Sequence, residues 1–358
     1  MGPRPILLLG VLAILVVLLV WAFIGSRGPG AAAFVPGHPV VDEAKADRPQ
    51  FIRAALAAGP LDPAFARAQP LILRRLTERR TAPPSTKQIL ELDRHEDGPD
   101  QVRWEDKAWM IDRHASMGLP HAKTYYLGVP SSAEALAAVL QKRSRYVAKP
   151  THLSESDHVI VFEGGRNLLT GELFPTPLAV AQRMMEALEA RPQPFENWAL
   201  GQVRPQVLVE ELLDAAYEIK YWVVWGRVVG GKVVQKPPPP PGVVLKKNRW
   251  DYRGAVSRSG LWAPNPSAPV GPPLGLETLH RQMIEAVEEA AAGADLIRID
   301  TYVAAGGSGG MRFYMGELTA PPFGAFIGAG FEDTVRDLLL DGHEARLYSR
   351  DARPSPHS

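Results

Sequence analysis

Two short stretches near the C-terminal end of this 358-residue chain carry acids at spacings that suit chemistry. Over residues 296–302, alternation puts Arg298, Asp300 and Tyr302 on one face of a strand and Ile297 and Ile299 on the other. Residues 313–319 read as the partner strand, with Glu317 near its end. In a hairpin, one carboxylate from each strand can face a shared cleft. Two carboxylates with few other oxygen ligands suit Mg²⁺, which shares its shell with water and phosphate. Arg298 beside them suits a phosphoryl or acyl-phosphate oxygen gripped by two N–H groups. Taken alone, the same residues are more often an exposed Arg–Asp pair and a strand-end acid.

Three earlier stretches add groups of complementary kinds. Tyr146-Val147-Ala148-Lys149-Pro150 places a lysine at the end of a strand, before a loop with Ser154 and Ser156, where it can reach a nucleotide phosphate. The apolar strand over 207–213 runs into Glu210 and Glu211; such a segment can offer backbone groups to an adenine and a carboxylate to a ribose. Over 218–222, Glu218, Lys220 and Trp222 share a face, so Lys220 can point into the same cleft. Each also reads as an edge lysine, a buried strand with a charged end, or an amphipathic outer strand.

The elements that must hold these residues mix strands and helices without the regular alternation of a barrel, which predicts an α+β body. Strands are expected over 146–149, 158–162, 206–213, 218–225, 228–235, 295–303 and 311–318. Helices are expected over 62–80, 104–117, 177–190, 275–292, and after a capping box at Ser131-Ser132-Ala133-Glu134. Residues 254–273 read as a long irregular stretch. Hydrophobic residues make up 46% and charged residues 22%, which excludes wholesale disorder. A net charge of +1 and the lack of a basic stripe argue against nucleic acid as a partner. The absence of cysteine excludes disulfides, thiolate catalysis, zinc–cysteine sites and iron–sulfur clusters.

The order of these pieces resembles an ATP-grasp enzyme, and more closely the TupA-like ATP-grasp family named for teichuronopeptide biosynthesis. The resemblance spans roughly residues 103–330. It rests on Glu105-Asp106-Lys107 opening a helix, the Lys149 strand, Glu210-Glu211-Leu212-Leu213, Tyr217-Glu218-Ile219-Lys220-Tyr221, Ile297-Arg298-Ile299-Asp300-Thr301-Tyr302 and Tyr314-Met315-Gly316-Glu317-Leu318-Thr319. It implies two α+β lobes with nucleotide between them, and ATP and Mg²⁺ as cofactors. Lys107 and Lys149 would touch ATP phosphates, with Ser154 assisting. Glu210 would face the adenine amino group, the backbone from Glu211 to Leu213 would read the ring, and Glu218 would reach the ribose. Lys220 would meet phosphate or substrate. Asp300 and Glu317, with Thr319, would hold metal, and Arg298 would steady the acyl-phosphate. The implied activity is a carboxylate–amine ligase of cell-envelope polymer biosynthesis, taking small-molecule or glycan-linked substrates.

The chain departs from that pattern in one place. Residues 151–158, where ATP-grasp enzymes carry a glycine-rich loop, contain no glycine and two acids. That departure favours a non-catalytic scaffold as an alternative; a kinase acting on a hydroxyl, which needs the same nucleotide and metal groups, and an exported carbohydrate-binding protein, which the N-terminal segment permits, stand beside it. At the other end, residues 6–24 are apolar for about the ~20 residues that cross a bilayer. They are expected to form a transmembrane anchor with the catalytic part in the cytoplasm. The expected organisation is an anchor over 1–25, a linker over 26–60, a helical region over 61–120, an N-lobe over 121–213, a C-lobe with the metal site over 214–345, and a loose tail over 346–358.

Overall fold

The computed structural model of the chain describes residues 38–61, 103–154, 156–192, 198–235, 251–265, 267, 271–272, 276–305, 310–319 and 329–351. Two antiparallel sheets organise them. The first has five strands in the order β1-β5-β2-β3-β4: β1 Thr124–Gly128, β2 Arg145–Pro150, β3 Ile160–Glu163, β4 Arg166–Asn167 and β5 Val207–Glu210. The second has six, in the order β11-β10-β6-β7-β8-β9: β6 Ala215–Val224, β7 Arg227–Gln235, β8 Asp251–Val256, β9 Trp262–Pro264, β10 Leu296–Ala305 and β11 Met311–Thr319. Every named strand pair is antiparallel. The chain is thus α+β, as the mixed order of elements predicts.

Each sheet buries an apolar face. On the first, α4 (Ala133–Leu140) and α5 (Pro177–Leu188) bring Leu136, Leu140, Val180 and Met184 against Tyr146, Ala148, Ile160 and Val209. The start of α4 lies one residue later than the capping box suggests: the Ser132 hydroxyl accepts from the Ala135 N–H. Against the second sheet, α6 (Leu276–Ala290) packs Met283 and Val287 in one core with Ile219, Tyr221, Ile297 and Ile299. These are the odd-numbered positions of β6 and β10, so the even-numbered ones, among them Glu218, Lys220, Arg298, Asp300 and Tyr302, face the other way. One end of that other face is closed by Trp222 against Phe331 of α7 (Ala329–Asp351).

Several expectations need correction. Among the described residues no helix is long and apolar enough to cross a membrane. The longest, α7, interrupts its apolar positions with Glu332, Asp333, Arg336, Asp337 and Asp341. Residues 6–24, which prompted the transmembrane reading, lie outside the described residues, and the membrane and cytoplasmic placement drawn from them is withdrawn. From residue 39 onward the expected linker carries two helices, α1 (Pro39–Ala46) and α2 (Arg48–Ala57), whose Val40, Val41 and Phe51 join the core. The stretch 254–273 is not irregular throughout, since it holds the end of β8 and all of β9. Helix α7 runs past the expected start of the tail. The expected helix over 62–80 and the proline run 237–241 lie outside the described residues.

Candidate functional site

Helix α3 (Lys107–Ser116) starts at an Asp106 cap, whose carboxylate accepts from the Ala108 N–H. Its packing fixes where Lys107 stands. Leu318 N–H donates to the Met110 sulfur, and Arg113 donates to the carbonyls of Ala290 and Ala292 at the end of α6. Lys107 Nζ then lies 2.8 Å from the Leu153 carbonyl oxygen and 3.1 Å from Glu317 Oε1. One ammonium therefore touches the loop after β2 of the first sheet and the acid of β11 in the second.

Asp300 and Glu317 reach one face because β11 is bulged. Thr301 pairs with Met315 and Ile299 with Leu318, so Asp300 faces both Gly316 and Glu317. Carried on unshifted from the Thr301–Met315 pair, the ladder would set Glu317 opposite Ile299, on the buried side away from Asp300. Gly316 makes the bulge possible by close approach: a Cβ there would sit 2.7 Å from the Tyr302 ring and 2.8 Å from the Asp300 carbonyl oxygen.

The charges on this face are paired. Arg298 donates to Asp300 at 2.8 Å and to the Thr319 hydroxyl at 3.1 Å. Lys220 donates to Asp300 at 2.6 Å and Glu218 at 2.7 Å. Lys149 donates to Glu210 at 2.5 Å. Burial alone would raise the pKa of Asp300, but Arg298 and Lys220 outweigh it and hold the carboxyl below its ordinary value. Glu317 is lowered in the same sense: partial burial and Asp300 oppose its charge, while Lys107, Lys149 and Arg298 favour it. Burial opposes the charge on Lys149, yet Glu210 and Glu317 raise its pKa. Lys149 and Glu317 thus feel one another across the two sheets.

Of the predicted residues, Lys107, Lys149, Glu210, Glu218, Lys220, Arg298, Asp300, Glu317 and Thr319 fall into this connected set. Ser154 sits in the adjoining loop, where its carbonyl accepts from the Asp157 N–H. Glu211 and Leu213 lie in the segment joining the sheets. The Glu211 N–H is already bonded to the Lys123 carbonyl, and the Glu211 charge acts on Arg145 instead. That N–H is therefore not free to read a ring. The loop lacks glycine, but Ser156 and His158 take φ of 62° and 53°, the backbone that glycine favours. Holding non-glycine residues there costs on the order of 1 kcal/mol each.

Two residues of the face carried no assigned role from the sequence. Burial pushes the Tyr302 phenol well above its ordinary pKa, and Glu218, Asp300, Glu317 and Glu210 add to the effect, so it stays a neutral donor among four carboxylates. Alternation had already placed it on the Asp300 side. The other is Lys232 of β7, whose placement depends on a second bulge.

The donor set fits Mg²⁺. Asp300 and Glu317 come from neighbouring strands, and each carboxylate has lone pairs left beyond its present partners. Among the described residues no group of three or more His, Cys, Asp or Glu side chains is placed to hold a metal. A pair of carboxylates is what Mg²⁺ uses when phosphate and water complete its shell.

No protein-family model and no curated protein matches the chain. Among solved structures it is similar to the ATP-grasp ligase PsnB complexed with a minimal precursor, at 14% identity and a TM-score of 0.36. That match covers 68% of this chain and 60% of PsnB. It is also similar to D-cycloserine synthetase DcsG, at 16% identity and a TM-score of 0.36, over 70% of this chain and 72% of that one. A third is the biotin carboxylase domain of the Hydrogenobacter thermophilus 2-oxoglutarate carboxylase, in complex with MgADP and bicarbonate. There identity is 13% and the TM-score 0.37, over 60% of this chain and 39% of that one. The chain spans less than two thirds of the first and third of these proteins. At such scores the functional reading rests on the chain's own side chains.

Proposed function

We propose that the chain is an ATP-dependent carboxylate–amine ligase. The observation that carries this reading is the convergence of Lys107, Lys149, Lys220 and Arg298 with Asp300 and Glu317 on one face bordered by both sheets. Phosphoryl transfer asks a protein for positioning and charge neutralisation rather than for a nucleophile. This set offers both, and the motifs that resemble the TupA-like family occupy it.

Substrate carboxylate oxygen would attack the γ-phosphorus of ATP as the bond to the ADP oxygen breaks. An amine would then attack the carbonyl carbon of the acyl-phosphate; the C–O bond breaks, inorganic phosphate leaves, and the amine loses its proton to solvent. Lys107 and Lys149 would exchange their present carboxylate partners for phosphate oxygens. Asp300 and Glu317 would hold Mg²⁺, which when bound neutralises charge on the transferred group. Arg298 would grip the acyl-phosphate with two N–H groups. Tyr302 stays protonated beside the carboxylates. The motif resemblance further points to an aminoacyl or peptidyl decoration of a cell-envelope polymer as the product.

The test is Mg-ATP binding by calorimetry together with amine-dependent release of phosphate. Glu317→Gln is expected to lower Mg-dependent turnover by about 10²–10³-fold, the scale of losing one preorganised charge contact. Lys149→Ala should mainly raise the concentration of ATP required. No heat at millimolar Mg-ATP would overturn the reading. A phosphorylated hydroxyl product formed without amine would replace the ligase with a kinase.

A further inference from the structure

Four cations of the site each have a carboxylate: Lys107 with Glu317, Lys149 with Glu210, Lys220 with Glu218 and Arg298 with Asp300. Lys232 is a fifth. It pairs across the strands with Lys220, which pairs across with Asp300, so the three form one row over β7, β6 and β10. That position is not what the turn dictates. The β6–β7 turn is tight, with Trp225 and Gly226 at φ of 54° and 70° and Val224 paired with Arg227. A regular ladder from that turn would set Gly231 opposite Lys220 and send Lys232 to the buried side with Ile219. Instead Val223 pairs with Val228 and Trp222 with Gly230, so Val229 is an extra residue and every later side chain of β7 changes face.

Lys232 arrives beside like charges. Burial lowers its pKa, and Lys220 and Arg298 lower it further. Its ammonium lies 5.4 Å from the centroid of the Tyr252 ring, and among the described residues no carboxylate pairs with it. A half-buried ammonium repelled by two cations is unfavourable until an anion joins it. The triphosphate is not the natural occupant: Lys232 stands on β7, three strands away from β11, which carries the Glu317 that Lys107 and Lys149 face.

We propose that Lys232 forms a subsite for a substrate carboxylate other than the one that reacts. This deepens the ligase reading and rests on it. A single uncompensated positive charge matches the single charge of a carboxylate; a phosphate group carries about −1.5 to −2 near neutral pH and would leave the row overcharged. The substrate class is therefore a compound with a second, unreacting carboxylate.

Glutarate is the probe. It is titrated by calorimetry into the full chain, with and without saturating Mg-ADP, for the wild type, Lys232→Gln and Lys232→Arg, with circular dichroism confirming the fold of each. Lys232→Gln is expected to weaken glutarate about 10-fold or more, and Lys232→Arg to keep it within about threefold, as fits loss or retention of one charge-assisted contact. Mg-ADP affinity should stay within about twofold in all three, since Lys232 stands away from the Glu317 side. Equal glutarate affinity in wild type and Lys232→Gln, or no glutarate binding to wild type, overturns the subsite. Tighter, Lys232-dependent binding of inorganic phosphate overturns its assignment to a carboxylate. Glutarate binding that depends on Lys232 in a chain that ignores Mg-ADP would sink the ligase reading and leave the subsite standing.

Discussion

Asp300 and Glu317 play matching parts in the proposed chemistry, yet their surroundings differ. The Asp300 side chain is 3% exposed and accepts from Lys220 and Arg298, whereas that of Glu317 is 39% exposed. Asp300→Asn removes the charge that compensates two half-buried cations. It is expected to cost about 3 kcal/mol of stability, as broken buried pairs do, besides abolishing Mg-dependent turnover. Glu317→Gln should cost less than about 1 kcal/mol for a comparable loss of turnover. Urea unfolding of the two variants separates them; equal stability would mean that Lys220 and Arg298 find other partners. At the same scale, His114 is 2% exposed, and burial, then His121 and Arg113, push its pKa from 6.5 down to about 4. The folded chain holds this ring neutral where the unfolded chain binds a proton. The stability so contributed is full above pH 6.5 and is lost as pH falls toward 4, by on the order of 3 kcal/mol. His114→Leu should flatten the urea midpoint over that window, keeping the part due to His38, lowered to about 4 as well, and to His280, which burial also lowers. An unchanged slope would show that His114 is not the titrating group.

Strand alternation, readable in the sequence, correctly separates the Ile297 and Ile299 face from the Arg298 and Asp300 face. It does not reveal the bulges, because an extra residue leaves no mark on composition or on the order of apolar positions. Glu317 would still have been paired with Asp300 by the eye, but only the bulge at Gly316 turns it to that side, and Lys232 was out of reach for the same reason. Helices α1 and α2 were hidden by their short length and by the glycine, alanine and proline around them, and α7 by its mixed apolar and charged pattern. The chemistry-bearing residues were legible because their types are uncommon on buried strand faces; their partners were not, because pairing is a property of register. Register is also where a small change should matter most. A Cβ at Gly316 would meet the Asp300 carbonyl, a backbone atom that cannot swing aside. Gly316→Ala is expected to destabilise the chain by about 1–3 kcal/mol and to weaken Mg-ADP binding, read by unfolding and calorimetry. Wild-type values for both would mean that the strands relax without moving Asp300 and Glu317.

Over the whole molecule, the site depends on two sheets with separate cores held in one relation. Helix α3 belongs to the second sheet through Met110 and Arg113, while its first residue reaches across to the loop of the first. That loop is held from its own side by Thr151, whose hydroxyl donates to the Arg204 carbonyl, and by the Asp157 N–H on Ser154. Lys107 is then the tether between the lobes when no nucleotide is bound, and in the proposed reaction it is also the group that must let go of Leu153 to take a phosphate. These two roles make opposite demands, and hydrogen exchange can see both. In Lys107→Met the amides of Asp157 and Val159 should exchange faster than in wild type, with amides of α6 unchanged, because only the loop loses a partner. Mg-ADP should slow exchange at these amides in wild type and do so much less in the variant. If the loop exchanges alike in both proteins, Lys107 does not tether it, and the relation between the sheets must come from the 211–214 connection, the packing of α3 and the bridge from Pro120 and His121 to Met315.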